Sequence, residues 1–199
     1  MLHDDATAPA DDDLVGGIRV GDREAFTQAY RRHRSDVYRF ARHMTGDAAV
    51  ADDVTQETFL ELMRVPGRFD ASRGSLRGYL LGIARHMVAR RLRERRWWGH
   101  APEDDNSPEV ATDDPHQTLC RAQDVARVQA AVAQLAPAFR DTLVLCDLLG
   151  LSYDEAAASL GCPVGTVRSR LHRARQQVGS VLRAQQDAQP EGVTVRCLV

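Results

Sequence analysis

No stretch of this chain approaches the roughly 20 consecutive apolar residues that a membrane-spanning helix needs. The first thirteen residues, MLHDDATAPADDD, are acidic and hold no apolar run. A secretory leader requires one, so the chain is expected to work in the cytoplasm with no membrane contact of its own. Cysteine is scarce: Cys120, Cys146, Cys162 and Cys197 form no C-x-x-C pair and stand at no metal-ligand spacing from histidine. That pattern excludes a disulfide framework and a structural zinc. Cys146 reads as a small core residue and Cys197 as an exposed thiol in a polar tail. Alternating apolar and polar residues, the mark of a half-buried strand, are missing outside the tail segment VTVRCLV. There is no glycine-rich phosphate loop and no cluster of carboxylates or histidines fit for catalysis. His3-Asp4-Asp5 is a lone fragment of a metal-ligating pattern with no second cluster to complete it. The expectation is a protein that is not an enzyme, with no metal and no cofactor.

Lysine is absent too, so all 26 basic side chains are arginine. The net charge of −2 conceals how unevenly they are spread. Asp4, Asp5, Asp11, Asp12 and Asp13 crowd the start. Glu103, Asp104, Asp105, Glu109, Asp113 and Asp114 crowd a middle stretch, 99–117, that contains no arginine. Nonspecific DNA affinity depends on uncompensated cations, so the isolated chain should bind bulk DNA weakly. This points to a protein that reads DNA with help from a partner.

Composition divides the chain into an acidic tail (1–13), a helical block (14–98), a linker rich in Pro, Asp and Asn (99–117), a second helical block (118–184) and a short tail (185–199). The linker is low in hydrophobicity and high in charge, and is expected to be flexible. The fold class is all-α: two small helical domains on a flexible acidic linker, the second ending in a helix-turn-helix. In the first block Phe26, Tyr30, Val37, Phe40, Ala41 and Met44 mark one or two amphipathic helices, ended at Thr45-Gly46-Asp47. Val54, Phe59, Leu62 and Met63 mark the next, starting near Asp52 and Asp53, whose charges suit a helix N-terminus. After a loop from Arg68 to Ser75, Leu76, Tyr79, Leu80, Ile83 and Met87 mark a long helix. Its C-terminal part carries Arg85, Arg90, Arg91, Arg93, Arg95 and Arg96 before Trp97 and Trp98. Arginines beside aromatics make a platform for phosphates and unstacked bases. A cationic end complementing the helix dipole, with the tryptophans packed as core, is the alternative. In the second block Val125, Val128, Val132 and Leu135, then Phe139, Leu143 and Cys146 after Pro137, read as support for a helix-turn-helix.

The helix-turn-helix itself is LSYDEAAASLGCPVGTVRSRLHRARQQV, from Leu151 to Val178. Ser152 and Glu155 have the spacing of a capping box, so the start of a helix is locally specified. Tyr153, Ala156, Ala157 and Leu160 form its apolar stripe, Gly161 supplies a turn, and Pro163 suits the start of the next helix. In that second helix Val167, Leu171, Ala174 and Val178 share one face. Ser169, His172, Arg173 and Gln176 share another, with Arg168 and Arg175 beside them. No acidic residue lies between Glu155 and Asp187. Phosphates need cations and base edges need forked or hydroxyl donors, which is what a helix entering the major groove supplies. A basic solvated face on an ordinary helical hairpin is the alternative.

With these residues in place, the chain resembles the extracytoplasmic-function (ECF) subfamily of bacterial RNA polymerase sigma factors. DDVTQETFLELM is similar to the family's polymerase-binding helix, SLRGYLLGIARHMVARRLRERR to its minus-10 recognition helix, and LSYDEAAASLGCPVGTVRSRLHRARQQV to its minus-35 helix-turn-helix. The resemblance implies a sigma factor that binds core RNA polymerase, directs it to promoters and aids melting. Residues 14–98 would be sigma domain two and 118–184 sigma domain four; the partners would be core polymerase, promoter DNA and an anti-sigma factor. Asp53, Gln56 and Glu57 fall on the D-x-x-Q-E positions that face the polymerase. Arg85, His86, Arg90 and Arg93 fall on the minus-10 surface, and Thr166, Arg168, Ser169, His172 and Arg173 on the minus-35 surface. Two positions depart from the pattern. His86 replaces a common asparagine at a loop-helix junction that captures a flipped base, and His172 stands where an aromatic is frequent. The rival readings are a stand-alone helix-turn-helix regulator, which would dimerise and bind duplex unaided, and a nucleic-acid enzyme, for which no site is found.

Overall fold

The computed structural model describes residues 9–98 and 125–187, without the side chains of 95–98 and of Gln186. The linker 99–117, the VTVRCLV tail, Cys120, Cys197 and the Trp97 and Trp98 side chains lie outside the described residues. Among those residues there is no strand. The helices are α1 (Asp11–Arg19), α2 (Arg23–Thr45), α3 (Ala48–Arg64), α4 (Leu76–Trp98), α5 (125–133), α6 (Pro137–Leu143), α7 (Tyr153–Leu160) and α8 (Val164–Asp187). Short 3-10 turns at Pro66–Arg68 and Ala71–Arg73 bridge α3 to α4, and a π turn at Val144–Leu148 prolongs α6.

Local chemistry explains most of these boundaries. Asp22 caps α2 by accepting from the Glu24 and Ala25 amides, and Gly46 ends it in the left-handed conformation. Asp47 then caps α3 at once, accepting from the Val50 amide. Helix α3 therefore begins four residues earlier than the Asp52-Asp53 pair suggests, and those two aspartates sit in its body. The amphipathic pattern from Phe26 to Met44 is one helix, not two. Asp11 to Asp13, grouped by composition with the acidic tail, form the first turn of α1, which buries Leu14, Val15 and Ile18.

Helix α4 is started from two directions. Ser75 Oγ accepts from the Gly78 amide, and Asp11 Oδ2, sixty-five residues away in sequence, accepts from the Leu76 amide at 3.0 Å. A carboxylate at that end also meets the helix dipole favourably. The apolar side of α4 (Leu76, Leu80, Leu81, Ala84, Val88) is fully buried with Val37 and Phe40 of α2 and Val54, Phe59 and Leu62 of α3. Phe59 meets the edges of Phe26 and Tyr30, with ring centroids 6.3 and 4.8 Å away.

The two halves share one continuous apolar core. Helix α7 crosses α4 where Gly78 and Gly82 leave room. A Cβ added at Gly78 would lie 3.3 Å from Ser159 Oγ, tighter than ordinary contact. Ser159 Oγ donates to the Gly78 carbonyl at 2.8 Å. Arg77 donates to Asp36 Oδ2 at 2.6 Å and to the Leu149 carbonyl at 2.5 Å, and Arg39 to the Leu148 carbonyl at 3.1 Å.

His33 is 5% exposed, and its Nε2 stands 3.5 Å from Asp11 Oδ1 without a well-formed hydrogen bond. Burial lowers its pKa from 6.5 against the opposing pull of Asp11, and burial with Arg39 and Arg42 nearby lowers that of His43. The unfolded chain therefore binds more protons than the folded one as pH falls below the ordinary histidine value. The associated stability is present above that value and lost as pH drops through the folded pKa values. The melting temperature is expected to decline between about pH 7 and about pH 5.5, and a flat profile there would contradict the neutral burial of these imidazoles.

Candidate polymerase and nucleic-acid surfaces

Gln56 and Asp53 are exposed on α3 and Glu57 is half-buried, while Val54, Thr55, Thr58 and Phe59 point inward. The three residues assigned to the polymerase thus share the outer side of one helix. Two of them are already engaged. Arg91 of α4 donates to Asp53 Oδ2 at 3.1 Å and to Glu57 Oε1 at 2.5 Å, and Arg90 stands 3.8 Å from Glu57 Oε2. Leu60 and Met63 are exposed further along the same helix, 43% and 51%, so Met63, one of the residues that mark the helix, lies on its outer side.

The residues expected on the minus-10 surface split into two groups. His86, Arg90 and Arg93 are exposed on α4. Arg85 is turned toward the second half, donating to Asp141 Oδ2 of α6 at 2.9 Å. Asp141 is buried; burial raises its carboxyl pKa while Arg85 opposes the shift. His86 lies well inside α4 and not at a loop-helix junction, because Ser75 and Asp11 start the helix at Leu76. It nevertheless faces the preceding loop across a cavity of about 310 Å3. Phe69, Arg73, Tyr79 and His86 line it from the first half, and Glu155 and Ser159 of α7 line it from the second. Phe69 and Tyr79 are in contact, with ring centroids 5.6 Å apart. The cavity is therefore walled by both halves of the molecule.

The helix-turn-helix is built as its local signals indicate. Ser152 and Glu155 make the reciprocal capping box, and Gly161 turns the chain with φ of 63°. Glycine takes that left-handed angle at no steric cost, whereas most side chains resist it. Val167, Leu171 and Ala174 are buried and Val178 is half-buried. Arg168, Ser169, His172 and Arg173 are exposed and Thr166 is half-buried. Ser169 Oγ donates to the Thr166 carbonyl, and Arg173 makes no ion pair among the described residues. Tyr153 departs from the expected apolar stripe. It is 37% exposed, and the Arg168 guanidinium lies over its ring, 5.8 Å from the centroid. Arg175 is held within the same half by a two-pronged pair to Asp147, at 2.9 and 2.6 Å. Val125 and Val128 are likewise more exposed than their spacing suggests, whereas Val132 and Leu135 are buried.

Sequence alone did not find Arg77, Asp141 or Ser159, and counted Arg91 only among the cations of the basic platform, because the partners of each lie far along the chain. Among the described residues no group of His, Cys, Asp and Glu could hold a metal, and no helix is long and apolar enough to cross a membrane.

Residues 29–98 match the model of Sigma-70 region 2, and residues 126–178 that of Sigma-70 region 4. The chain is 37% identical over 193 residues to the ECF RNA polymerase sigma factor SigC of Mycobacterium tuberculosis (strain CDC 1551 / Oshkosh), across 95% of this chain and 98% of that protein. It belongs to the ECF sigma factors. Its fold matches CnrH, solved in complex with the cytosolic domain of CnrY, at a TM-score of 0.68 and 27% identity over 88% of this chain and 99% of that one. RpoE from Bartonella quintana, solved with the anti-sigma factor NepR, shares the fold at a TM-score of 0.65 and 24% identity, over 80% and 98% of the two chains. This sigma factor therefore directs RNA polymerase to promoters, and the stand-alone regulator is set aside.

The Arg85–Asp141 pair ties α4 of this sigma factor to its second half. Asp141→Ala removes a nearly buried acceptor and strands the Arg85 guanidinium, so it is expected to cost about 1–3 kcal/mol of stability. Equilibrium denaturation measures it; an unchanged midpoint would show that water replaces the pair without loss.

Proposed function

We propose that Asp53, Gln56 and Glu57 form the face that meets core polymerase, that His86, Arg90 and Arg93, with Arg85 once released from Asp141, receive the minus-10 strand, and that Thr166, Arg168, Ser169, His172 and Arg173 read the minus-35 element. The observation that carries this reading is the division of α8. One side is buried on α7, and the other presents Arg168, Ser169, His172 and Arg173 with no acid among them. A fork donor such as Arg173 fits the two acceptors on a guanine edge. At the minus-10 site an imidazole can stack on a base and hydrogen-bond it, so His86 beside the cavity suits an extruded base. Helix α7 supplies a wall of that cavity, and it has to move off before DNA can enter.

The chain contributes recognition and strand capture and no catalytic centre of its own; the polymerase makes the RNA. It works in the cytoplasm, where the polymerase is. An anti-sigma protein completes the partners, supported by kinship in fold with RpoE, which was captured with one.

Transcription by core polymerase on matched duplex and pre-melted bubble templates tests the assignments. Arg173→Ala is expected to cost about 1–3 kcal/mol and to relax preference at one minus-35 position, whereas Arg183→Ala should weaken all promoters alike. An equal loss for Arg173→Ala at every minus-35 variant would remove its base-reading role.

The same templates separate opening from binding. His86→Ala is expected to impair initiation on duplex and to spare it on the bubble, because a pocket is needed only when a base must leave the stack. Equal defects on both templates would exclude base capture by His86.

A further inference from the structure

Among the described side chains of α4, Arg93 is exposed to solvent and Arg77 and Arg85 reach the second half of the molecule; Arg91 points to α3. Its side chain is only 19% exposed, while the Asp53 carboxylate beneath it is 61% exposed and Glu57 39%. Asp53 and Glu57 are one helical turn apart, and the guanidinium spans them with separate nitrogens: NH1 to Asp53 Oδ2 and NH2 to Glu57 Oε1. Each carboxylate gives Arg91 one oxygen. The Asp53 oxygen left over has no partner among the described residues, and the Glu57 one has only the distant Arg90. Long acidic side chains on an exposed helix face otherwise sample several rotamers, and a binding face loses that freedom on association.

We propose that Arg91 is a positioning residue for polymerase binding: the fork of one guanidinium on the minus-10 helix holds Asp53 and Glu57 in the orientation in which their outer oxygens meet the core enzyme. This deepens the proposed function and rests on the assignment of those two carboxylates to the polymerase face. The planar fork matters, since a lysine ammonium has its three donors on one nitrogen and cannot set two of them apart as the guanidinium does, one nitrogen to each carboxylate. Burial lowers the Arg91 pKa, but the hydrogen bond to Asp53 and the charge of Glu57 outweigh it and the net shift is upward, so the clasp stays charged at any physiological pH. The same contact fixes the polymerase face relative to His86, Arg90 and Arg93 on α4. Docking on the core enzyme and presentation of the minus-10 surface are thereby mechanically one event.

The test is a double-mutant cycle read as affinity of the fluorescently labelled full chain for core RNA polymerase at fixed salt, with melting temperatures recorded alongside. Arg91→Gln is expected to weaken core binding about fivefold, and to add nothing in a chain already carrying Asp53→Asn and Glu57→Gln. Arg91→Lys, which retains the charge and the aliphatic stem, should show most of the same loss; it also stands in should Arg91→Gln fail to fold. If Asp53→Asn with Glu57→Gln leaves core affinity unchanged, the polymerase-face assignment itself fails. If those weaken binding but Arg91→Gln and Arg91→Lys do not, the assignment survives and the positioning role is overturned. An equal Arg91→Gln loss in both backgrounds, or tighter binding through unmasked carboxylates, overturns it as well.

Discussion

The burial of Leu80, Leu81, Ala84 and Val88 against α2 and α3 fixes where α4 lies, and the position of every other functional group depends on that. A helix seated by one apolar side has its remaining sides assigned by geometry. One holds Gly78 and Gly82 and lets α7 approach closely enough for Ser159 to bond the α4 backbone. A second carries Arg91 to the carboxylates of α3, and what remains exposes His86, Arg90 and Arg93. Each buried leucine of this helix is worth roughly 1.5–3 kcal/mol of burial, far more than any single surface contact it positions. Polar and charged residues could therefore specialise without endangering the fold.

A chain with no lysine meets two demands with one side chain. Arg77, Arg85 and Arg91 are partly buried and paired with Asp36, Asp141, and Asp53 with Glu57. Arg90, Arg93, Arg168 and Arg173 are exposed. A guanidinium is planar, weakly hydrated and always charged, so it tolerates partial burial in an ion pair as readily as it recognises a phosphate or a guanine edge. Identity alone cannot separate the two uses. Position relative to the carboxylates of neighbouring helices does.

The contacts between α4 and the second half set acids against arginines. Arg85, assigned to DNA, is occupied by Asp141, and the wall of the His86 cavity is built partly from Glu155. Acids of the second half thus pair with arginines of both halves, Asp141 with Arg85 and Asp147 with Arg175, in keeping with a net charge of −2 in a chain with 26 arginines.

The all-helical class, the capping box at Ser152 and Glu155, the Gly161 turn and the outward row from Arg168 to Arg173 were legible in the sequence because they depend on residues within a turn or two of one another. Short-range rules failed where two local signals competed. Asp47 rather than Asp52 starts α3 because it directly follows the Gly46 turn, and Tyr153 leaves its apolar stripe to lie under Arg168. The tertiary structure alone decided which arginines are free. The partners of Arg85 and Arg91 lie 56 and 34 or more positions away, and no periodicity encodes such a pairing. The sequence determined that the chain would be helical and basic on chosen faces, since backbone capping and amphipathic period are local. Packing decided which of those charges reach a partner, because a charge is neutralised by its neighbours in space and not by its neighbours in the chain.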